Sequence, residues 1–335
     1  MPLRPFTDEQ VRTLVNLRQR YEAWRDAERA WRALPYDLRR KRVGAYEYLY
    51  AIEGRSGNGK SLGRWDAAAQ QRLEAYRERK PALKARLAQA RTATDEGARL
   101  ARALRVPMLA SAAGPILREA DCRGLLDGQL LVVGTNALLA YAYEAVSPLG
   151  LADETEDFDL AWAGTEQPAG APVWEMLKAV DPTFTVNTER TFQARNAAAY
   201  EVELLVAPSR AHALARRDNP RPVPLPEQEW LLPGRPVDQI VACRDATAAR
   251  IVAPDPRWFA LHKLWLSAQA KRDPFKRRKD RQQGLGVLDA VAEAMPHYPL
   301  DAAFEREIPG ELEAAWAEWR GSDRPPPPPS AAPPP

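Results

Sequence analysis

The sequence predicts an α+β protein, and three observations predict it. Helical spacing of apolar residues dominates both ends of the chain. A fully apolar run, Leu130 to Val133, ends in the small turn Gly134-Thr135. A series of short, alternating segments then follows as far as Val206.

At the N-terminus, Thr7 and Gln10 form a T-x-x-Q capping box. It opens a segment whose Val11, Leu14, Leu17, Tyr21, Trp24 and Trp31 recur at helical spacing. From Asp66 to about Leu104 the pattern is again helical, carried by Leu73, Tyr76, Leu83, Leu87, Leu100 and Leu104, with a join between two helices expected at Pro81. The first hundred residues are therefore expected to be mostly helical, with one short strand where Tyr46, Tyr48 and Tyr50 alternate with Glu47, Leu49 and Ala51.

The stretch Gly54 to Ser61, GRSGNGKS, matches G-x-x-x-x-G-K-[ST]. A phosphate loop needs a helix beginning at its Lys-Ser, where backbone N–H groups cradle phosphates. Here Leu62, Gly63, Arg64 and Trp65 follow instead, and no later aliphatic run ends in a magnesium-binding Asp. The stretch reads as a flexible turn between two extended arms, with Lys60 as the test of the phosphate-loop alternative.

In the middle third, the apolar run delivers the chain into Gly134-Thr135, and NALLAYAYEA reads as a helix. After the loop SPLGLADETE, the segment Asp157 to Trp162 points both aspartates to one side and Phe158 and Leu160 to the other. Thr183 to Val186, Thr191 to Ala194 and Tyr200 to Val206 read as successive strands of a meander, the last placing Glu201 and Glu203 on one face. Beyond Trp258, Leu261, Leu264, Trp265 and Ala268 form an apolar stripe, and Leu285 to Ala294 and Glu311 to Trp319 add further helix. The basic run Lys271 to Arg281 reads by default as a solvated helix face or loop. The Pro-rich end is expected to be disordered or an extended linker.

Composition narrows the functional classes. A net charge of only +3 over 335 residues is not the global footprint of a dedicated nucleic-acid binder. No apolar run approaches the ~20 residues that cross a bilayer, and the first residues lack the apolar region of a signal peptide, so a cytoplasmic protein is expected. Cys122 and Cys243 stand far apart with no metal-type spacing and are expected to be ordinary buried thiols.

Two aspartates at i and i+2 on a strand stand side by side, suited to hard Mg²⁺ ions, and a third carboxylate from a neighbouring strand can complete such a site. Paired metals then stabilise the attacking and leaving oxygens of an in-line phosphoryl displacement. The Gly134-Thr135 turn at a helix N-terminus offers N–H groups and a hydroxyl to phosphates. Taken singly, these features have plainer readings: a helix cap, edge-strand solvation, a surface carboxylate.

Taken together, VVGTNALLAYAYEA, TEDFDLAW, YEVELL, and WFALHKLWLS with KRRKD resemble the NTP_transf_8 kind of bacterial nucleotidyltransferase within the DNA polymerase β superfamily, and more distantly the AbiEii-type toxins. The resemblance runs from about Tyr46 to Leu288, with the YLY…KSLG stretch belonging to a helical leader. It implies a polymerase β-like mixed sheet with helical flanking regions: a helical N-terminal region at 1–120, a nucleotidyltransferase core at 121–253, a C-terminal helical region at 254–320 and a disordered tail at 321–335.

The resemblance also implies Mg²⁺-dependent transfer of a nucleoside monophosphate from an NTP to a hydroxyl, with pyrophosphate leaving. Gly134 and Thr135 match the turn that contacts the triphosphate, and Asp157 and Asp159 match the metal-binding pair. Glu203 stands where the superfamily usually carries a third Asp, with Glu201 as the fallback. His262 and Lys263 match an HKL motif and Lys279-Asp280 a K-D segment; Lys263 and Lys279 are the expected phosphate-binding lysines, while His262 also reads as a packed helix residue. The acceptor stays open among RNA, protein and small molecule. So do a catalytically degenerate nucleotide-binding module and a toxin with a partner antitoxin.

Overall fold

The computed structural model describes residues 3–151, 157–166, 170–214 and 219–321. The predicted disordered tail, apart from Gly321, lies outside the described residues, as does the acidic half of the loop before Asp157. The chain divides into two compact units, one of residues 16–97 and one of residues 1–15 and 98–335.

Helix α1 (Asp8–Arg32) starts at the predicted capping box: the Thr7 amide donates to Gln10 Oε1 at 2.8 Å and the Gln10 amide to Thr7 Oγ1 at 3.3 Å. It leads into β1 (Asp37–Val43), β2 (Tyr46–Ile52) and β3 (Gly59–Arg64), an antiparallel sheet in that order. The smaller unit is thus not simply helical. The strands β1 and β3 carry DLRRKRV and GKSLGR, in which charge and glycine mask the period-2 pattern. Leu38 and Leu49 from one face of this sheet pack with Leu73 and Tyr76 of α2 (Ala67–Ala103).

Pro81 lies inside α2 and does not divide it, contrary to the join expected there. A proline inside a helix costs roughly 3 kcal/mol through its lost N–H bond and ring clash. Burial of Leu73, Tyr76 and Leu83 along one continuous stripe offsets that cost, and the Tyr76 hydroxyl donates to the carbonyl oxygens of Pro35 or Tyr36 at 3.0 and 3.1 Å.

GRSGNGKS forms the β2–β3 turn. Lys60 pairs with Ala51 inside the sheet, so the Lys-Ser pair opens a strand and not a helix. The helix N-terminus that a phosphate loop requires is absent at this position.

The larger unit is built on a mixed sheet. After α3 (Ala113–Cys122) come β4 (Leu130–Val132), a 3₁₀ turn at Gly134–Ala137, α4 (Leu138–Glu144), β5 (Asp157–Trp162) and α5 (Pro172–Val180). The strands β6 (Thr185–Val186), β7 (Gln193–Arg195) and β8 (Glu201–Val206) form the predicted meander, and β9 (Val223–Pro224) adds to β8. The spatial order is β4-β5-β8-β7-β6, with β5 and β8 parallel and the other pairs along that order antiparallel. Phe158, Leu160, Val202 and Leu204 are fully buried on one face of the central pair.

A hairpin of β10 (Val237–Ala242) and β11 (Ala248–Ala253) follows and was not expected from the sequence. Then come α6 (Pro256–Ala268), α7 (Pro274–Ala294), α8 (Ala302–Glu307) and α9 (Gly310–Gly321). Gly284 lets α7 approach α6 closely, because a Cβ there would lie 2.8 Å from the Ala260 carbonyl oxygen. The fold is α+β with a mixed sheet. Cys243 is buried as expected, whereas Cys122 is only half-buried.

Candidate active site

Alternation on β5 turns Asp157 and Asp159 away from Phe158 and Leu160, and alternation on β8 does the same for Glu201 and Glu203. Parallel register sets Asp157 opposite Glu201 and Asp159 opposite Glu203. Four carboxylates therefore share one face of two neighbouring strands.

The turn after β4 closes over this group. Gly134 has φ +65°, and a Cβ added to it would lie 2.9 Å from Asp159 Cγ, so both backbone and space demand glycine. The Val133 amide donates to the Asp159 carbonyl at 3.0 Å, and Asn136 Nδ2 donates to the Asp157 carbonyl at 3.1 Å. Thr135 is buried in the same turn, just ahead of α4. Tyr200, at the foot of β8, has its pKa raised by burial and by Asp157 and Asp159.

The electrostatics show crowding of negative charge. Burial raises the Asp159 pKa to about 7, with further upward pressure from Asp157 and Glu203, while Lys263 and Lys276 act in the opposite direction. Glu203 is raised by burial and by Asp157 and opposed by Lys276 and Arg190. Gln193, which the sequence reading passed over, faces Glu203 from β7. Its Nε2 lies 2.9 Å from Glu201 Oε2 and 3.1 Å from Glu203 Oε1, while Asn187 Nδ2 donates to its Oε1 at 2.7 Å. That chain of amides fixes which way Gln193 points and holds both glutamates in place.

Cations approach from α6 and α7. Asp273 caps α7, accepting from the Phe275 amide at 2.9 Å and the Lys276 amide at 3.1 Å, and Pro274 occupies the first helical position. The basic run is mainly a solvated face of that helix, but Asp280 turns inward and is buried. It accepts from Lys263 Nζ at 2.8 Å and Arg272 Nε at 2.9 Å. Lys263 is thus buried in an ion pair, not extended toward solvent, and acts on Asp159 through its field. The half-buried Lys279 has its pKa lowered by burial and by Lys263, with Asp157 and Asp280 opposing.

His262 lies inside the fold. It is buried beside Trp230 at 6.4 Å between ring centroids, and neither ring nitrogen has a hydrogen-bond partner among the described residues. Burial is the main cause that holds its pKa down at about 3. The packed-residue reading describes this position.

Of the residues singled out from the sequence, Gly134, Asp157, Asp159, Glu201 and Glu203 share the carboxylate face, and Lys263 and Lys279 flank it electrostatically. Gln193, Asn136, Lys276 and Arg190 were missed. Their one sequence-level signal is strand parity for Gln193, which is useful only once the meander's register is known.

A family model described as Nucleotidyltransferase, NTP_transf_8, matches residues 111–309, and the chain belongs to that family. The match begins after the three-stranded sheet, so the expected extension of the resemblance back to Tyr46 is not part of it, and the supposed helical leader there is β-structure. No curated protein and no solved structure matches the chain. Among the described residues no helix is long and apolar enough to cross a membrane.

Proposed function

We propose that the carboxylate face transfers a nucleoside monophosphate from an NTP to a hydroxyl group and releases pyrophosphate. One observation carries this reading: Asp157 and Asp159 alternate on β5, Glu203 lies in register with Asp159 on the parallel neighbour, and the Gly134 turn presses on Asp159. Family membership supports the same class of reaction.

The donor set suits Mg²⁺. It consists of hard oxygens; burial first, and then repulsion from Asp157 and Glu203, raises Asp159, and a bound cation would offset both. Among the described residues, no three such side chains are already closed into a cage, so binding would draw the carboxylates together. Asp157, Asp159 and Glu203 would hold the ions, which would offset phosphate charge and polarise the reacting oxygens.

The protein's own groups have distinct tasks. Glu203 accepts the proton of the acceptor hydroxyl as that oxygen bonds to the α-phosphorus. The α–β phosphoanhydride bond then breaks and its electron pair leaves with pyrophosphate. The N–H groups and hydroxyl of Gly134 and Thr135 hold the triphosphate. Lys279, with the neighbouring Lys276, offsets charge on the leaving group, and Lys263, fixed by Asp280, adds a constant field.

A second reading is favoured by Gln193, whose amide already occupies both glutamates: a site that binds Mg-NTP without turning it over. Calorimetric titration with Mg-NTP, paired with a pyrophosphate-release assay, separates the two. Binding with steady pyrophosphate release in the presence of an acceptor extract supports transfer. Binding with no release supports the second reading.

A further inference from the structure

We infer that the three-stranded sheet of residues 37–64 is a docking face for single-stranded nucleic acid. This sheet lies outside the family match and in the smaller compact unit, so the transferase reading does not account for it.

Residues opposite one another in an antiparallel pair share a face, and successive residues alternate. One face of the sheet packs Leu38 and Leu49 into the core. The other carries Tyr46, Tyr48 and Tyr50 as a stripe along the central strand. Arg39 lies opposite Tyr50 and Lys41 opposite Tyr48 on β1, and Arg64 lies opposite Tyr48 on β3. Tyr46 is 53% exposed and Tyr48 and Tyr50 are half-buried, while the far end of this face closes over at Ile52.

The cations are already organised around the rings. The Arg64 guanidinium lies 4.1 Å from the Tyr46 ring centroid, and Lys41 Nζ lies 5.3 Å from that of Tyr50. Lys41 also donates to the Gly57 carbonyl at 3.1 Å, and Arg39 holds Asp37 at 2.7 Å. Such pairs keep the cations beside the aromatic stripe.

Charge decides the partner. Residues 37–64 hold seven Lys and Arg against three Asp and Glu, and on the tyrosine face itself Arg39, Lys41 and Arg64 stand against Asp37, an excess of two. A polyanion complements such a patch. The tyrosines narrow the choice, since an acidic peptide needs cations but not a ladder of rings, whereas unstacked bases stack on tyrosine and on guanidinium planes. A duplex keeps its bases stacked and cannot use that ladder. The modest total charge of the chain concealed this local concentration.

The test uses the full-length protein without NTP or Mg²⁺, so failure of the transferase reading cannot affect it. Fluorescence anisotropy would follow binding of a labelled oligouridylate and an oligothymidylate of about fifteen nucleotides, a size suited to a small site. A duplex of equal length and a polyglutamate peptide would serve as competitors. Single strands are expected to bind in preference to both competitors, with affinity falling steeply as salt rises. Replacing both Tyr46 and Tyr48 by Ala should weaken binding about tenfold or more, whereas replacing both by Phe, which keeps the rings, should preserve it. Arg39→Ala combined with Arg64→Ala should reduce the salt dependence. No binding by the wild type, equal binding of the duplex or the peptide, or affinity unchanged in the double Ala variant would each overturn the proposal; circular dichroism confirms that each variant is folded.

Discussion

The two sheets of this protein use the same strand alternation for opposite chemistry. In the larger unit, β5 and β8 bury Phe158, Leu160, Val202 and Leu204 on one face and gather four carboxylates on the other. In the smaller unit, β2 buries Leu49 and presents tyrosines flanked by cations. The comparison shows that strand alternation reveals where a face lies, while its function depends on what neighbouring strands add in register. Asp159 gains its meaning from Glu203 alongside it, and Tyr48 gains its meaning from Lys41 and Arg64.

Separate functions for the two faces can be broken by crossed variants. The largest effect is expected at Asp157. Its replacement by Ala should reduce nucleotidyl transfer by about a thousandfold or more, since the cation binding proposed for it would be worth several kcal/mol at the reacting phosphate. Folding and oligonucleotide affinity should remain unchanged, as checked by thermal melting and anisotropy. Parallel loss of both functions would mean that the faces are not independent.

Gly134→Ala should follow. A φ of +65° costs a non-glycine residue roughly 1–3 kcal/mol, and the new Cβ would push against the Asp159 carboxylate. Displacing a catalytic group by about 1 Å costs about a hundredfold in rate. Activity assays and urea titration should therefore both register this change, whereas alanine at Gly54 of the β2–β3 turn, where a Cβ would meet nothing within 4 Å, should spare activity.

A smaller, pH-dependent effect belongs to His262. Its pKa is about 3 in the folded chain against an ordinary 6.5, so the unfolded chain binds the extra proton between those values. Stability is then present above about pH 6.5 and is lost as pH falls toward 3, by at most about 1.4 kcal/mol per pH unit for one group. Urea midpoints measured across that window should slope less steeply with pH for His262→Phe than for the wild type. The smallest effect is expected for Lys60→Ala, a strand residue in a hairpin: no change in transfer and a stability change within about 0.5 kcal/mol.

Much of the larger unit was legible because its strands follow the simple rules. Asp157 to Leu160 and Glu201 to Leu204 alternate cleanly, and the Leu130–Val133 run leads into a small-residue turn. Other features depended on tertiary context. In the β10–β11 hairpin, β10 (VDQIVA) loses its alternation at Asp238-Gln239, and β11 (AARIVA) is a nearly continuous apolar run that periodicity alone cannot separate from buried helix. The Arg-rich β1 shows no apolar alternation, because its outward positions and the rim of its packed face both carry charge. Pro81 was read as a break because its local cost is visible in sequence, whereas the burial that offsets it is not. At the site, the residue types Asp, Asp and Glu could be read directly, but Gln193 and the Lys263–Asp280 pair required strand register and helix packing that no local pattern contains.

The most direct test of the central claim compares the fate of the α and γ phosphates. Full-length protein is incubated with Mg²⁺, cell extract as acceptor source, and NTP labelled at one position or the other, beside Asp157→Ala and Lys60→Ala. The account predicts that α-label enters an acceptor, that Asp157→Ala abolishes this and that Lys60→Ala does not. Release of γ-phosphate alone, lost in Lys60→Ala and retained in Asp157→Ala, would contradict it.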